Sequence, residues 1–134
     1  MTGFLLVALL GVFHHWCLRA LDHVTGSDDT KPNLTLLLVF VGLLATHTLE
    51  ILLFALAYWL LLWWPQMGAL TGSFDGSWSD LVYFSGINFV TLGYTQIETN
   101  GPIRIVNMMQ ALGGFMVLTW SATFIYSAWE RAFR

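Results

Sequence analysis

The chain has 134 residues, of which 57% are hydrophobic and only 10% charged, with a formal net charge of −3. A soluble domain of this size has no core large enough to hide so much apolar surface, so a water-soluble globule is excluded. Five cationic residues without a basic stripe give no footprint for nucleic acid, and a lone cysteine, Cys17, allows no intrachain disulfide.

Three stretches suit a bilayer. Gly3 to about Ala20 is just long enough to cross hydrocarbon roughly 30 Å thick. It has no basic n-region, and His14-His15-Trp16-Cys17 follows it instead of a small-x-small cleavage site, so a retained helix is expected rather than a signal peptide. Leu34 to Trp64 is the second span. It would extend about 46 Å, so it must tilt or protrude. Between Thr35 and Met67 its only ionisable groups are His47, Glu50 and Tyr58. Ile103 to about Trp129 is the third. Pro32 and Pro102 stand where a proline helps to begin a helix, and Pro65 ends the second. The sequon Asn33-Leu34-Thr35 meets the membrane surface and is read as chance. Arg19, Lys31, Arg131 and Arg134 against Arg104 place the 21–33 loop and the C-terminus in the cytoplasm and the N-terminus outside. Trp59, Trp63, Trp64 and Trp78 then form an outer belt, with Trp16 and Trp129 at the inner face.

The segment between the second and third spans behaves differently. Gly68 to Ser77 reads as a loop, and Ser77-Trp78-Ser79-Asp80 offers a helix start with Ser77 as cap. Trp78 to Val90 is apolar but about 20 Å long as a helix, too short to cross. Thr91-Leu92-Gly93-Tyr94-Thr95 follows without helical periodicity, and the chain must return outside to begin the last span. A half-membrane helix with an extended return is a re-entrant loop, and its non-helical backbone must be buried in protein or face a water-filled path.

Tyr83-Phe84-Ser85-x-x-x-Phe89-Val90-Thr91-Leu92-Gly93-Tyr94 resembles the pore helix and filter of potassium channels, whose filter reads T-V/I-G-Y-G. His47-Thr48-Leu49-Glu50-Ile51, Ala57-Tyr58 and Thr119-Trp120-Ser121 are similar to a subgroup of small bacterial pore-loop channels. The resemblance spans about residues 34–130. It implies an all-α membrane protein, three transmembrane helices plus a re-entrant pore helix and filter loop, assembled as a homotetramer. It also implies an N-terminal unit over 1–33 and a pore domain over 34–134. Thr91, Leu92, Gly93, Tyr94 and Thr95 would form the filter, with Tyr83, Phe84, Ser85, Asn88 and Gln96 supporting it. Gly113 and Gly114 fall near the family's inner-helix hinge, and close helix packing explains them equally well. Rings of backbone oxygen would replace an ion's water, Thr91 would add a hydroxyl ring, and Gly93 would supply positive φ. Thr95 stands where the family has its second glycine and Gln96 where it has Asp. A β-branched residue at positive φ is an outlier, so strict potassium selectivity is in question.

Ionisable groups inside the membrane are costly and usually functional. Glu50 and His47 are spaced i and i+3 and share a face. Bracing of the filter's surroundings through Ser85, Asn88, Trp120 or Ser121 is the favoured role for Glu50, with proton sensing the sharper alternative. His14, His15, Arg19 and His23 gather in the inner half of the first helix and read as interfacial anchors. Asp22, Asp28 and Asp29 read as solvated, with intracellular divalent-cation sensing as the alternative. Asp75, Asp80 and Glu98 would surround the outer mouth. A metalloenzyme built on His14, His15, His47 and Glu50 fails because the three histidines fall at different depths and no HExxH spacing occurs.

The expected function is passive conduction of monovalent cations, potassium first and sodium also, in a bacterial inner membrane. The partners are lipid and three further copies of the chain, with no nucleic acid. No cofactor or metal is expected beyond permeant ions in the filter. A non-conducting assembly subunit with a degenerate filter is the alternative.

Overall fold

The computed structural model describes residues 1–26 and 31–134. In chain order it contains α1 (Thr2–Thr25), α2 (Pro32–Leu61), β1 (Ala69–Gly72), α3 (Trp78–Phe89), β2 (Ile97–Asn100) and α4 (Ile103–Ala132). The three long helices are the expected spans. In the most apolar stretch of each, fewer than three residues in ten are buried inside the chain. The remaining apolar surface needs lipid or protein around it. Pro32 occupies the first turn of α2, where its missing N–H costs nothing. Asp28 and Asp29 lie outside the described residues.

α1 runs five residues past Ala20. Its polar last turn stays helical, with the Thr25 hydroxyl donating to Leu21 O at 2.8 Å. Asp22, expected to be solvated, accepts from Arg131 at 2.8 Å. Gly3, Leu10, His14, Leu18 and Thr25 form the buried stripe of α1, at the spacing of one helix face. That stripe follows α4 in parallel. A methyl on Gly113 would meet Val7, Gly3 sits against Met109 and Val106, and Asp22 reaches Arg131. α2 runs antiparallel to both, with Gly42 under Leu21 and Tyr58 beside Gln110.

One element was not expected. β1 and β2 pair antiparallel, Ala69 opposite Asn100 and Gly72 opposite Ile97, and tie the start of the 68–77 loop to the return strand. Gly68 and Gly101 close the ribbon at positive φ, where an added side chain would run into the facing backbone. α3 is therefore slung between the ribbon at one end and the packed faces of α2 and α4. Leu81, Phe84 and Phe89 enter the same core as Phe54, Tyr58, Val106 and Val117.

Candidate functional site

α3 begins as its sequence predicts. Ser77 Oγ accepts from the Asp80 amide at 3.1 Å. The Asp80 carboxylate accepts from the Asp75 amide, and Asp75 accepts from the Ser77 amide at 2.8 Å. Both carboxylates thus serve the helix start, where the dipole favours them. Hydrogen bonds from Ser77 hold the Asp75 carboxyl below its ordinary range.

The other end of α3 is a left-handed cap. The Leu92 amide donates to Ile87 O and the Thr91 amide to Asn88 O, the paired bonds of a Schellman turn. The residue in the left-handed position is Thr91, at φ 61°. Glycine or asparagine is usual there, and a β-branched residue costs roughly 1–2 kcal/mol. The sequence pointed to Thr95 as the outlier, but among the described residues Thr91 is the non-glycine at positive φ. Thr95 instead accepts the Ile97 amide on its hydroxyl at 3.0 Å, which starts β2. Gly93 takes φ 60°, as expected.

Residues 92–96 are neither helix nor strand. Leu92 is 67% exposed and Tyr94 84%, and the C-terminal, negative end of α3 faces them. Two carbonyls of this segment are occupied within the chain. Gly93 O accepts the Thr95 amide at 3.1 Å, and Tyr94 O accepts the Tyr83 hydroxyl at 3.4 Å.

Behind this segment lies a closed polar network. Gln110 is fully buried and donates to Ser85 O at 3.1 Å and Ser85 Oγ at 2.9 Å, while its carbonyl accepts the Tyr58 hydroxyl at 2.6 Å. Ser85 in turn donates to Ile51 O at 2.8 Å. Both amide donors, the amide oxygen and the serine hydroxyl are used. α2, α3 and α4 are held together through one side chain. Ser85, expected as a support of the filter, stands in this network with Gln110 and Ile51. Gln110 was missed, although two amides, Asn107 and Gln110, one turn apart in an apolar span were the available signal. Asn88 only caps its own helix, donating to Phe84 O at 2.7 Å, and Phe84 meets Tyr58 edge-on at 5.1 Å. α4 runs unbroken through Gly113 and Gly114, which meet Val7 and the Phe89 carbonyl respectively. Both are close-packing positions.

No solved structure matches the chain. An uncharacterised membrane protein of Bacillus subtilis, YdjJ, is similar over 52 residues at 36% identity. That stretch is 38% of this chain and 15% of the relative, so the chain spans only a small part of that protein's length. Residues 34–131, from the start of α2 almost to the end of α4, match the ion channel family. The chain belongs to the ion channel family. The match takes in both long helices that flank α3 and the 91–96 segment, and it leaves α1 outside.

In this ion channel family member, α1 brings in what the sequence had set apart. His14 Nδ1 lies 2.8 Å from Glu50 Oε1, and His47 Nδ1 lies 2.7 Å from Glu50 Oε2. Ser121 Oγ is 3.4 Å from His14 Nε2. His14 and Glu50 are fully buried and His47 is 16% exposed. The expected partners of Glu50, namely Ser85, Asn88, Trp120 and Ser121, do not bond it; Ser121 reaches it only through His14. The premise that the histidines lie at different depths also fails for His14. The longer α1 puts His14 at mid-helix, level with the middle of α2. His15, Arg19 and His23 remain on the exposed face, as anchors would.

Proposed function

We propose that four copies gather around residues 91–95 and pass monovalent cations passively, potassium first and sodium also, across a bacterial inner membrane. The observation that carries this reading is a twelve-residue helix, α3, ending in exposed non-helical backbone between two full spans. Such backbone is not stable against lipid. A shared axis covers Leu92 and Tyr94 with neighbouring copies and gives the free carbonyls a cation to hold. The cationic residues favour a cytoplasmic C-terminus and an external N-terminus. Residues 1–33 would form a helical addition to a pore domain over 34–134. Potassium selectivity depends on the outer carbonyls. For Tyr94 O to face an ion it must leave the Tyr83 hydroxyl, and 3.4 Å marks a weak bond.

The second reading, a non-conducting assembly subunit, is favoured by the two carbonyls already engaged inside the chain. Purified protein in liposomes separates the two. Conduction predicts uptake of a potassium tracer down its gradient, lost in Gly93→Ala, whose Cβ would have open space but a strained φ. Flux that survives Gly93→Ala overturns the filter, and no flux at all supports the second reading. Sharper potassium-over-sodium selectivity in Thr95→Gly is the expected sign that the outer ring sets ion choice.

A further inference from the structure

We propose that His14, His47 and Glu50 form a binding site for a divalent transition-metal ion of the zinc class, which clamps α1 to α2 and regulates the pore. The regulatory half rests on the conduction reading above; the binding half does not.

Four observations converge. The donor set is two imidazoles and a carboxylate, which borderline-soft divalent ions prefer over calcium or magnesium. All three donor groups lie within 4.8 Å of one another, drawn from two helices, with His47 and Glu50 one turn apart. In a tetrahedral site, bonds of about 2.0–2.2 Å set neighbouring ligand atoms roughly 3.4 Å apart, so the contacts of 2.7 and 2.8 Å found here would each open slightly on binding. An ion could replace the two hydrogen bonds with little backbone movement. The two rings are nearly parallel, 15° apart with centroids at 5.6 Å, and both present Nδ1 to the same carboxylate.

The surroundings fit as well. Binding through Nδ1 leaves the His14 Nε2–H to donate to Ser121 Oγ, the outer-shell partner that orients a ligating histidine. Trp120 packs on His14 and Phe89 on His47, so the cluster is screened from water. A largely apolar crevice of about 230 Å³ between α2 and α4 reaches His47 and Ser121. Phe89 stands two residues before Thr91, and His14 belongs to the helix outside the matched family region. An ion here would therefore fix α1 and press on the end of the pore helix at once.

The test uses the full chain in detergent, stripped with chelator and titrated with Co²⁺ and then Zn²⁺. One ion per chain is expected, with a visible Co²⁺ spectrum that disappears in His14→Gln and in Glu50→Gln. The double substitution His15→Gln with His23→Gln should keep it. Ser121→Ala, a milder change, should keep the spectrum and lower affinity about tenfold. Binding well below one ion per chain, or a spectrum that persists in His14→Gln and Glu50→Gln, overturns the site and leaves a hydrogen-bonded triad only. In liposomes, Zn²⁺ should change wild-type flux about tenfold and His14→Gln flux hardly at all. Intact binding with unchanged flux overturns the regulation while conduction stands. Intact binding with no flux under any condition overturns conduction and regulation together, and the titration still reports the site.

Discussion

Gly114→Ala tests whether the inner-helix glycines serve contact or hinge. Two effects oppose each other. Alanine inside a helix is favoured over glycine by about 1 kcal/mol. Against that, the new methyl at 114 would overlap the Phe89 carbonyl oxygen and stand 2.9 Å from its carbon and 3.1 Å from its Cα. These are backbone atoms at the end of α3, so no rotamer change relieves them. Overpacking that forces backbone movement costs about 1–3 kcal/mol, and an immovable neighbour puts this case at the upper end. The net expectation is a loss of about 1–2 kcal/mol. Gly113→Ala is the control. Its methyl would meet only side chains, Val7 at 2.9 and 3.0 Å and Leu10 at 3.3 Å, so gain and cost nearly cancel. Unfolding in mixed detergent micelles should rank Gly114→Ala clearly below wild type and Gly113→Ala within about 1 kcal/mol of it. Liposome flux should fall in Gly114→Ala alone, because Phe89 positions Thr91. Equal stability for all three proteins, with altered flux only, would refute the contact and support a hinge.

Further outcomes follow from single contacts. Tyr58→Phe and Gln110→Leu each strand a buried partner and should cost about 1–3 kcal/mol. The double variant should lose less than the sum, measured by the same unfolding titration. Thr91→Gly removes left-handed strain and should raise stability by about 1 kcal/mol, while flux changes because the hydroxyl is gone. A β1–β2 ribbon closed by Gly68 predicts that Gly68→Ala loosens the 68–77 loop, seen as faster amide exchange at Leu70 and Thr71. Asp75, with its pKa lowered by Ser77, contributes stability above its ordinary value of 3.8 and loses it as pH falls through its lower folded value. Trp78 fluorescence should hold steady from neutral pH to 3.8 and shift only below it.

Composition and length made the spans and the short third helix legible, because hydropathy sums over twenty residues and tolerates local exceptions. The start of α3 was legible too, since Ser77 and Asp80 act over three residues. The ribbon was not. Four-residue strands carry no readable alternation, and their signal lies in Gly68, Gly72 and Gly101, whose left-handed φ is shared by many loops. The left-handed corner at Thr91 escaped for a related reason. Family likeness directed attention to the missing glycine at 95, while the local turn placed the strain four residues earlier.

The histidine–glutamate cluster shows where a hydropathy reading ends. Each residue was visible, and i, i+3 spacing correctly joined His47 to Glu50. What could not be read was the register of α1 against α2. A slip of one turn moves a side chain about 5 Å along its neighbour, enough to break every bond in the cluster. Small residues set the position of α1 against both neighbours: Gly42 of α2 receives Leu21, while on the α4 side Gly113 receives Val7 and Gly3 lies on Met109. These contacts are steric and non-local, and they leave no mark on hydropathy. Once they fix α1, the five residues beyond Ala20 place His14 at mid-helix, and the buried carboxylate finds its second imidazole. The polar bonds are then a result of the glycine contacts. Enlarging Gly42 should therefore separate His14 from Glu50 without touching either residue.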